Sequence, residues 1–175
     1  MRDVFLRKTT PHMYTWVVWT FLQFTATVAI LRENVWWSAL GVFALGLVSL
    51  AVFLLSFRYG TKNVTSFDTV CLAGALVAIA VWVFLDNVLV SIVLVTLIDF
   101  VGFLPTYRKA YEEPYSETMS LYICSIFSNT FSVLAIVHYS VTSTLYVASL
   151  VASNTVMVGI LLLRRHQATL VPSTK

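Results

Sequence analysis

Long apolar runs alternate with short polar breaks along the chain. Six runs, at 13–31, 35–57, 68–85, 88–107, 118–139 and 141–163, come close to the ~20 residues that a helix needs to cross a bilayer. Such runs must be helical, because in lipid the backbone N–H and C=O groups can be satisfied only within the segment. The breaks are short and none is of low complexity. The pattern therefore predicts an all-α fold, a polytopic transmembrane helical bundle of about six helices forming a single domain over 1–175.

Composition agrees with this. Of the 175 residues, 59% are hydrophobic and 11% are charged, and the mean hydropathy is +0.86, which leaves no room for a soluble domain. Charge then sets the orientation. Arg2, Arg7, Lys8, Arg58, Lys62, Arg108, Lys109, Arg164, Arg165 and Lys175 fall on one side of the predicted spans, and Arg32 alone falls on the other. The positive-inside rule predicts a multi-pass protein of the cell (inner) membrane with both termini cytoplasmic, the lipid bilayer as its partner, and 164–175 as a cytoplasmic tail. The net charge of +3 and pI near 9.0 follow from this bias and imply no nucleic acid. Trp36, Trp37, Trp82 and Tyr139 sit at the predicted outer boundary and Tyr107, Tyr111 and Tyr115 at the inner one, as aromatic belts would.

Cys71 and Cys124 each lie inside a span, where a thiol packs as a small apolar side chain and no disulfide framework is implied. The first span reads as an uncleaved helix rather than a signal peptide, given its long basic lead-in, the internal Gln23 and the helix that follows at once. The "NVT" at Asn63 falls on the cytoplasmic side and is expected to be unmodified.

A weak internal repeat is visible. "RKTTPHMYTWVVW" at 7–19 parallels "RKAYEEPYSETMSLY" at 108–122, each a cationic pair, a proline, a Thr and a helix that opens on aromatics. "SALGV" at 38 likewise parallels "STLYV" at 143. Both copies run in the same direction, which is a parallel repeat of a kind known in transporters. The second repeat is a three-helix unit over 88–163, the partial first repeat over 13–57 lacks one helix, and 68–85 is a linker helix whose apolar surface suits lipid. Ser66 and Asp68 at the start of that helix are placed to cap it or to complement its dipole.

Polar groups inside spans need a reason, since an Asp at a helix centre costs about 2.5–3.5 kcal/mol on insertion scales. Asp99 shares a face with Thr96, Gly102 and Thr106. Thr118, Tyr122, Ser125, Asn129 and Ser132 form a second stripe, and Tyr146, Ser149 and Ser153, with Asn154 beside them, a third. Counted from the cytoplasmic ends, Asp99, Asn129 and Asn154 fall at one depth, on the order of 15 Å. Thr20, Gln23 and Thr27 line one face of the first span, and Ser49 matches Asn154. Two readings stand side by side: a hydrated central cavity, or polar groups that only bond between closely packed helices, at ~0.6 kcal/mol each.

His12, His138 and His166 lie too far apart for a metal cluster and read as solvated or interfacial side chains. No nucleophile lies beside a base, and the carboxylates other than Asp99 lie at interfaces, so neither an enzyme nor a cofactor is expected. Glu112 and Glu113 are placed to pair with Arg108 and Lys109 at a solvated surface, where such pairs contribute ~0–1 kcal/mol.

"DFVGFLPTYRKAYEEPYSETMSLY" together with "RKTTPHMYTWVVW" resembles a family of small bacterial integral membrane proteins without assigned function. More distantly, a helix ending in Pro105-Thr106, a basic turn and a second helix resemble the PQ-loop superfamily, which includes SWEET and semi-SWEET sugar carriers, the cystine carrier, vitamin carriers and the KDEL receptor. Thr106 stands where that superfamily has glutamine after its proline. The closer family begins with one more helix, so this chain resembles a seven-helix plan without its first element, either naturally short or read from a misplaced start; a homodimer would fill the gap.

The resemblance implies alternating access of a small-molecule substrate. Candidate substrate contacts are Asp99, Asn129, Asn154, Gln23, Ser125, Tyr122 and Trp19, with Pro105 and Gly102 as a hinge. Pro105 removes one backbone hydrogen bond and so either hinges the helix or simply ends it. The alternative function is a membrane scaffold or receptor-like binding protein that transports nothing.

Overall fold

The computed structural model describes residues 2–32, 36–84 and 87–170. The side chains of Arg2, Arg32 and Trp37, and the tail beyond Leu170 with Lys175, lie outside the described residues. A single turn, α1 (Arg2–Phe5), precedes six longer helices: α2 (Met13–Arg32), α3 (Trp36–Tyr59), α4 (Ser66–Val83), α5 (Val88–Glu112), α6 (Met119–Leu134) and α7 (Val141–Leu170). Each predicted run becomes one helix, and the described residues contain no strand. The ends move: α5 runs on through Pro105 to Glu112, α6 stops at Leu134 and α7 continues to Leu170. Pro105 therefore does not terminate its helix.

Among the described residues, Leu40–Tyr59, Ser66–Val83, Val88–Glu112 and Ser143–Leu170 are long and apolar enough to cross a membrane, while the apolar α6 is shorter. The chain is a membrane protein. Phe43 and Leu54 on α3, Val77 and Val81 on α4, and Phe127 and Phe131 on α6 point outward, as lipid-facing side chains do.

α5 joins two buried clusters. Val18 and Leu22 of α2 pack with Ala75 and Ile79 of α4 and Ile98 of α5; further along, Phe103 and Ala110 of α5 pack with Met157 and Leu161 of α7 and with Tyr122. α2 also lies along α3, and α6 along α7, with α7 between α6 and α5. Contrary to a purely lipid-exposed linker, α4 buries Cys71, Ala75 and Ile79 against its neighbours. Cys124, by contrast, is exposed on α6.

Apolar burial does little to hold helices together in lipid, so close approach and polar bonds matter more. The Thr15 hydroxyl donates to the Gly102 carbonyl at 2.8 Å and shares a 2.8 Å bond with the Thr106 hydroxyl. A Cβ at Gly102 would meet Val18 Cγ1 at 3.0 Å, so glycine is what lets α2 come this close. α4 opens with a capping box: Thr65 is the N-cap, and Asp68 returns a bond to the Thr65 N–H. The sequence had pointed to Ser66 and Asp68 for this task; Asp68 fills its part, and Thr65 rather than Ser66 is the cap.

Candidate functional site

The 103–118 stretch and the 7–12 stretch, parallel in sequence, meet at one end of the bundle. The Thr10 N–H donates to the Ser116 carbonyl at 3.0 Å, and the Thr9 and Thr118 hydroxyls lie 2.5 Å apart. The Thr61 N–H donates to the Pro11 carbonyl at 3.2 Å, so residues 7–12 form a strap held by both neighbouring loops.

Beneath the strap lies an ionic network. Arg108 grips Asp68, with Nη2 at 2.7 Å from Oδ2 and Nε at 3.1 Å from Oδ1, and reaches Glu112 at 2.7 Å and the Asn63 carbonyl at 2.8 Å. Lys109 Nζ, wholly buried, pairs with Glu117 at 2.5 Å and donates to the Thr10 carbonyl. The Tyr122 hydroxyl donates to the other Glu117 oxygen at 2.8 Å. Arg165 closes the turn from α7, donating to the Pro114 and Glu117 carbonyls at 2.9 and 2.7 Å, and Arg164 stacks over the Tyr111 ring.

This network corrects two expectations. His12 is not solvated: it is fully buried, with Nε2 3.4 Å from Asp68 Oδ2, and neither ring nitrogen completes a hydrogen bond. Burial holds its pKa below the ordinary 6.5, with Asp68 opposing and Lys109 and Arg108 adding to the effect. Nor is Lys109 a surface cation beside Glu113. It crosses to buried Glu117, whereas the expected Arg108–Glu112 pair does form.

At mid-bundle the structure is different. Asp99 is 4% exposed, and no described cation pairs with its carboxylate. The buried Trp19 Nε1–H is directed at it and has no other partner. Tyr107 and Tyr146 lie near enough to feel the charge, but the Tyr107 hydroxyl is already donated to the Ser153 carbonyl at 2.8 Å. The nearby rings pack on one another: Trp19 meets Phe103 edge-on at 4.9 Å, and Phe103 stacks on Tyr107 at 5.3 Å.

A cavity of about 350 Å³ lies in the half of the bundle away from the ionic network, lined by Gln23, Val42, Trp82, Ser91, Val95 and Tyr146 among others. Val95 stands four residues before Asp99 on α5, and Gln23 four after Trp19 on α2, so Asp99 and Trp19 lie one turn, about 6 Å, below the cavity wall on the same faces. A second cavity of about 230 Å³ runs between α5 and α7, past Thr96, Tyr107 and Ser153.

Other candidates go elsewhere. Asn154 is buried, but its amide donates to the Leu150 carbonyl of its own helix at 2.7 Å. Asn129 donates to the Ser125 carbonyl at 2.8 Å, and both sit on α6, which α7 separates from α5. Tyr122 belongs to the ionic end. Thr20 and Thr27 also bond back to their own helix. The structure thus brings together Asp99 and Trp19 below Gln23, with Tyr146 added, and leaves Asn129 and Ser125 on α6 out of that group, while Asn154 is buried on the face of α7 that carries Met157 and Leu161 against α5. Tyr146 had been read only as part of a stripe. His12, Asp68, Lys109 and Glu117 carried no local signal that they would meet.

Among the described residues, no group of His, Cys, Asp or Glu is placed to hold a metal. The chain matches no family model, and no curated protein or solved structure matches it.

Proposed function

We propose that the protein is a small-molecule carrier that exposes a central site around Asp99 to each side of the membrane in turn. One observation carries this reading: the two ends of the bundle are built as opposites. A cavity of about 350 Å³ stands one turn from Asp99 in one half of the bundle, while strap, ion pairs and Arg165 interlock at the other end, where a smaller cavity of about 200 Å³ remains beside Thr9, Pro11 and Glu117. That asymmetry is what a carrier caught open on one side would have.

Gly102 and Pro105 lie between Asp99 and the cations Arg108 and Lys109 on a single helix. Pro105 cannot donate the usual backbone bond, which makes this the weak turn of α5 and the place where site and seal can move relative to one another. In this reading the sealed end faces the cytoplasm with both termini, the membrane is the inner membrane, and the chain stands near the PQ-loop carriers by its parallel repeat. A second copy would cover the free faces of α2 and α3.

The test is uptake. Purified protein in liposomes is screened with sugars, amino acids, vitamins and organic amines. Asp99→Asn is expected to cut uptake of the accepted compound at least about tenfold, and unchanged uptake in that variant removes the site. If no compound enters while the 108–117 turn crosslinks a protein partner, the scaffold reading replaces the carrier.

A further inference from the structure

We infer that the Asp99 site takes a small organic cation, an ammonium group on an apolar body. This deepens the carrier reading and rests on it for transport, though not for binding. The argument begins with what the carboxylate lacks. Asp99 is almost wholly buried, and the Trp19 indole N–H is directed at it, but no described cation pairs with it. Elsewhere in the chain the buried acids are matched: Asp68 by Arg108, and Glu117 by Lys109 and Tyr122. The unmatched carboxylate therefore stands out against the protein's own practice, and a ligand cation supplies the missing partner.

The surroundings favour an organic cation over a hydrated metal ion. Trp19, Tyr107 and Tyr146 lie near the carboxylate, with Phe103 packed between the Trp19 and Tyr107 rings, and aromatic faces attract ammonium groups in a desolvated setting. Among the described residues Asp99 belongs to no group of three or more His, Cys, Asp or Glu side chains placed to hold a metal ion. A sugar fits poorly, since it needs many hydrogen-bonding partners and the cavity above offers chiefly Gln23, Ser91 and Tyr146 among apolar walls. About 350 Å³ accommodates a small amine with one ring.

The probes are phenethylammonium, its neutral counterpart 2-phenylethanol, and glucose, titrated calorimetrically into the protein in nanodiscs. Phenethylammonium should bind, 2-phenylethanol at least about tenfold more weakly, and glucose not at all. Asp99→Asn should erase the difference between the first two. Should that variant fail to fold, Trp19→Leu, which keeps the carboxylate and removes a ring, should weaken phenethylammonium by roughly tenfold and leave 2-phenylethanol little changed. Equal binding of the charged and neutral probes, or no binding of phenethylammonium, overturns the inference. Glucose uptake without an ammonium response would overturn the substrate class and leave the carrier standing. Ammonium binding without exchange across proteoliposomes would do the reverse.

Discussion

Removing Lys109 tests whether the closed end is held by charge. Lys109 is fully buried and Glu117 nearly so, 2.5 Å apart, with the Tyr122 hydroxyl on the second carboxylate oxygen. At an effective dielectric of ~20, that separation gives about 7 kcal/mol of gross attraction. Desolvating the two ions opposes it by several kcal/mol each, so the pair adds little net stability. Breaking it is another matter. Lys109→Met leaves Glu117 buried with one donor, and the expected loss is about 3–5 kcal/mol. In the double variant Lys109→Met, Glu117→Gln, the neutral amide still accepts from Tyr122, so stability should return to within about 1–2 kcal/mol of the parent. The assay is reversible unfolding in mixed micelles, followed by tryptophan fluorescence, as a double-mutant cycle. A single variant within about 1 kcal/mol of the parent, or a double variant no better than the single, would refute the reasoning.

Two further outcomes follow from the same end of the bundle. Because burial lowers the His12 pKa from 6.5, the unfolded chain takes up the proton first as pH falls; stability contributed by the neutral imidazole is full above about 6.5 and declines below it, and His12→Gln should flatten that limb of the pH–stability curve in micelles. Gly60→Ala would put a Cβ 2.3 Å from the Ser56 carbonyl oxygen and 2.9 Å from that of Pro11, both backbone, so a loss of about 1–3 kcal/mol and faster amide exchange at Thr61 are expected; Gly74→Ala, with open space around it, is the control that should show neither.

The helices were legible because the signal for them is local. A run such as "TVCLAGALVAIAVWV" must be helical wherever it sits in a membrane, and α4 forms there within a few residues of the expected bounds. Ends were harder, and α5 shows why. Pro105 either hinges or ends a helix by backbone chemistry; Thr15 bonds across to Gly102 and Thr106 on either side of it, and the helix continues. Contacts from another helix thus override a local preference.

The site was legible in part for a related reason. Asp99 declares itself, because an acid at that depth has few ordinary explanations. Asn129 and Asn154 share its depth, but depth says nothing about direction around the helix axis: Asn129 sits on α6, which α7 separates from α5, and each amide donates one N–H to a carbonyl one turn back on its own helix. The closed end was hidden altogether: Asp68 meets Arg108, and His12 meets Asp68, across separations in sequence that no spacing rule covers. Only the parallel between residues 7–19 and 108–122 hinted at it, and the two stretches do touch, through Thr10 and Ser116. The consequence is that α5 carries both parts, the unmatched carboxylate above Gly102 and the cations of the seal below Pro105. In the carrier reading, any tilt of the lower segment that frees Arg108 from Asp68 and Lys109 from Glu117 acts through the turn that Thr15 braces. Opening the sealed end would then require the Thr15 bonds to shift at the same step.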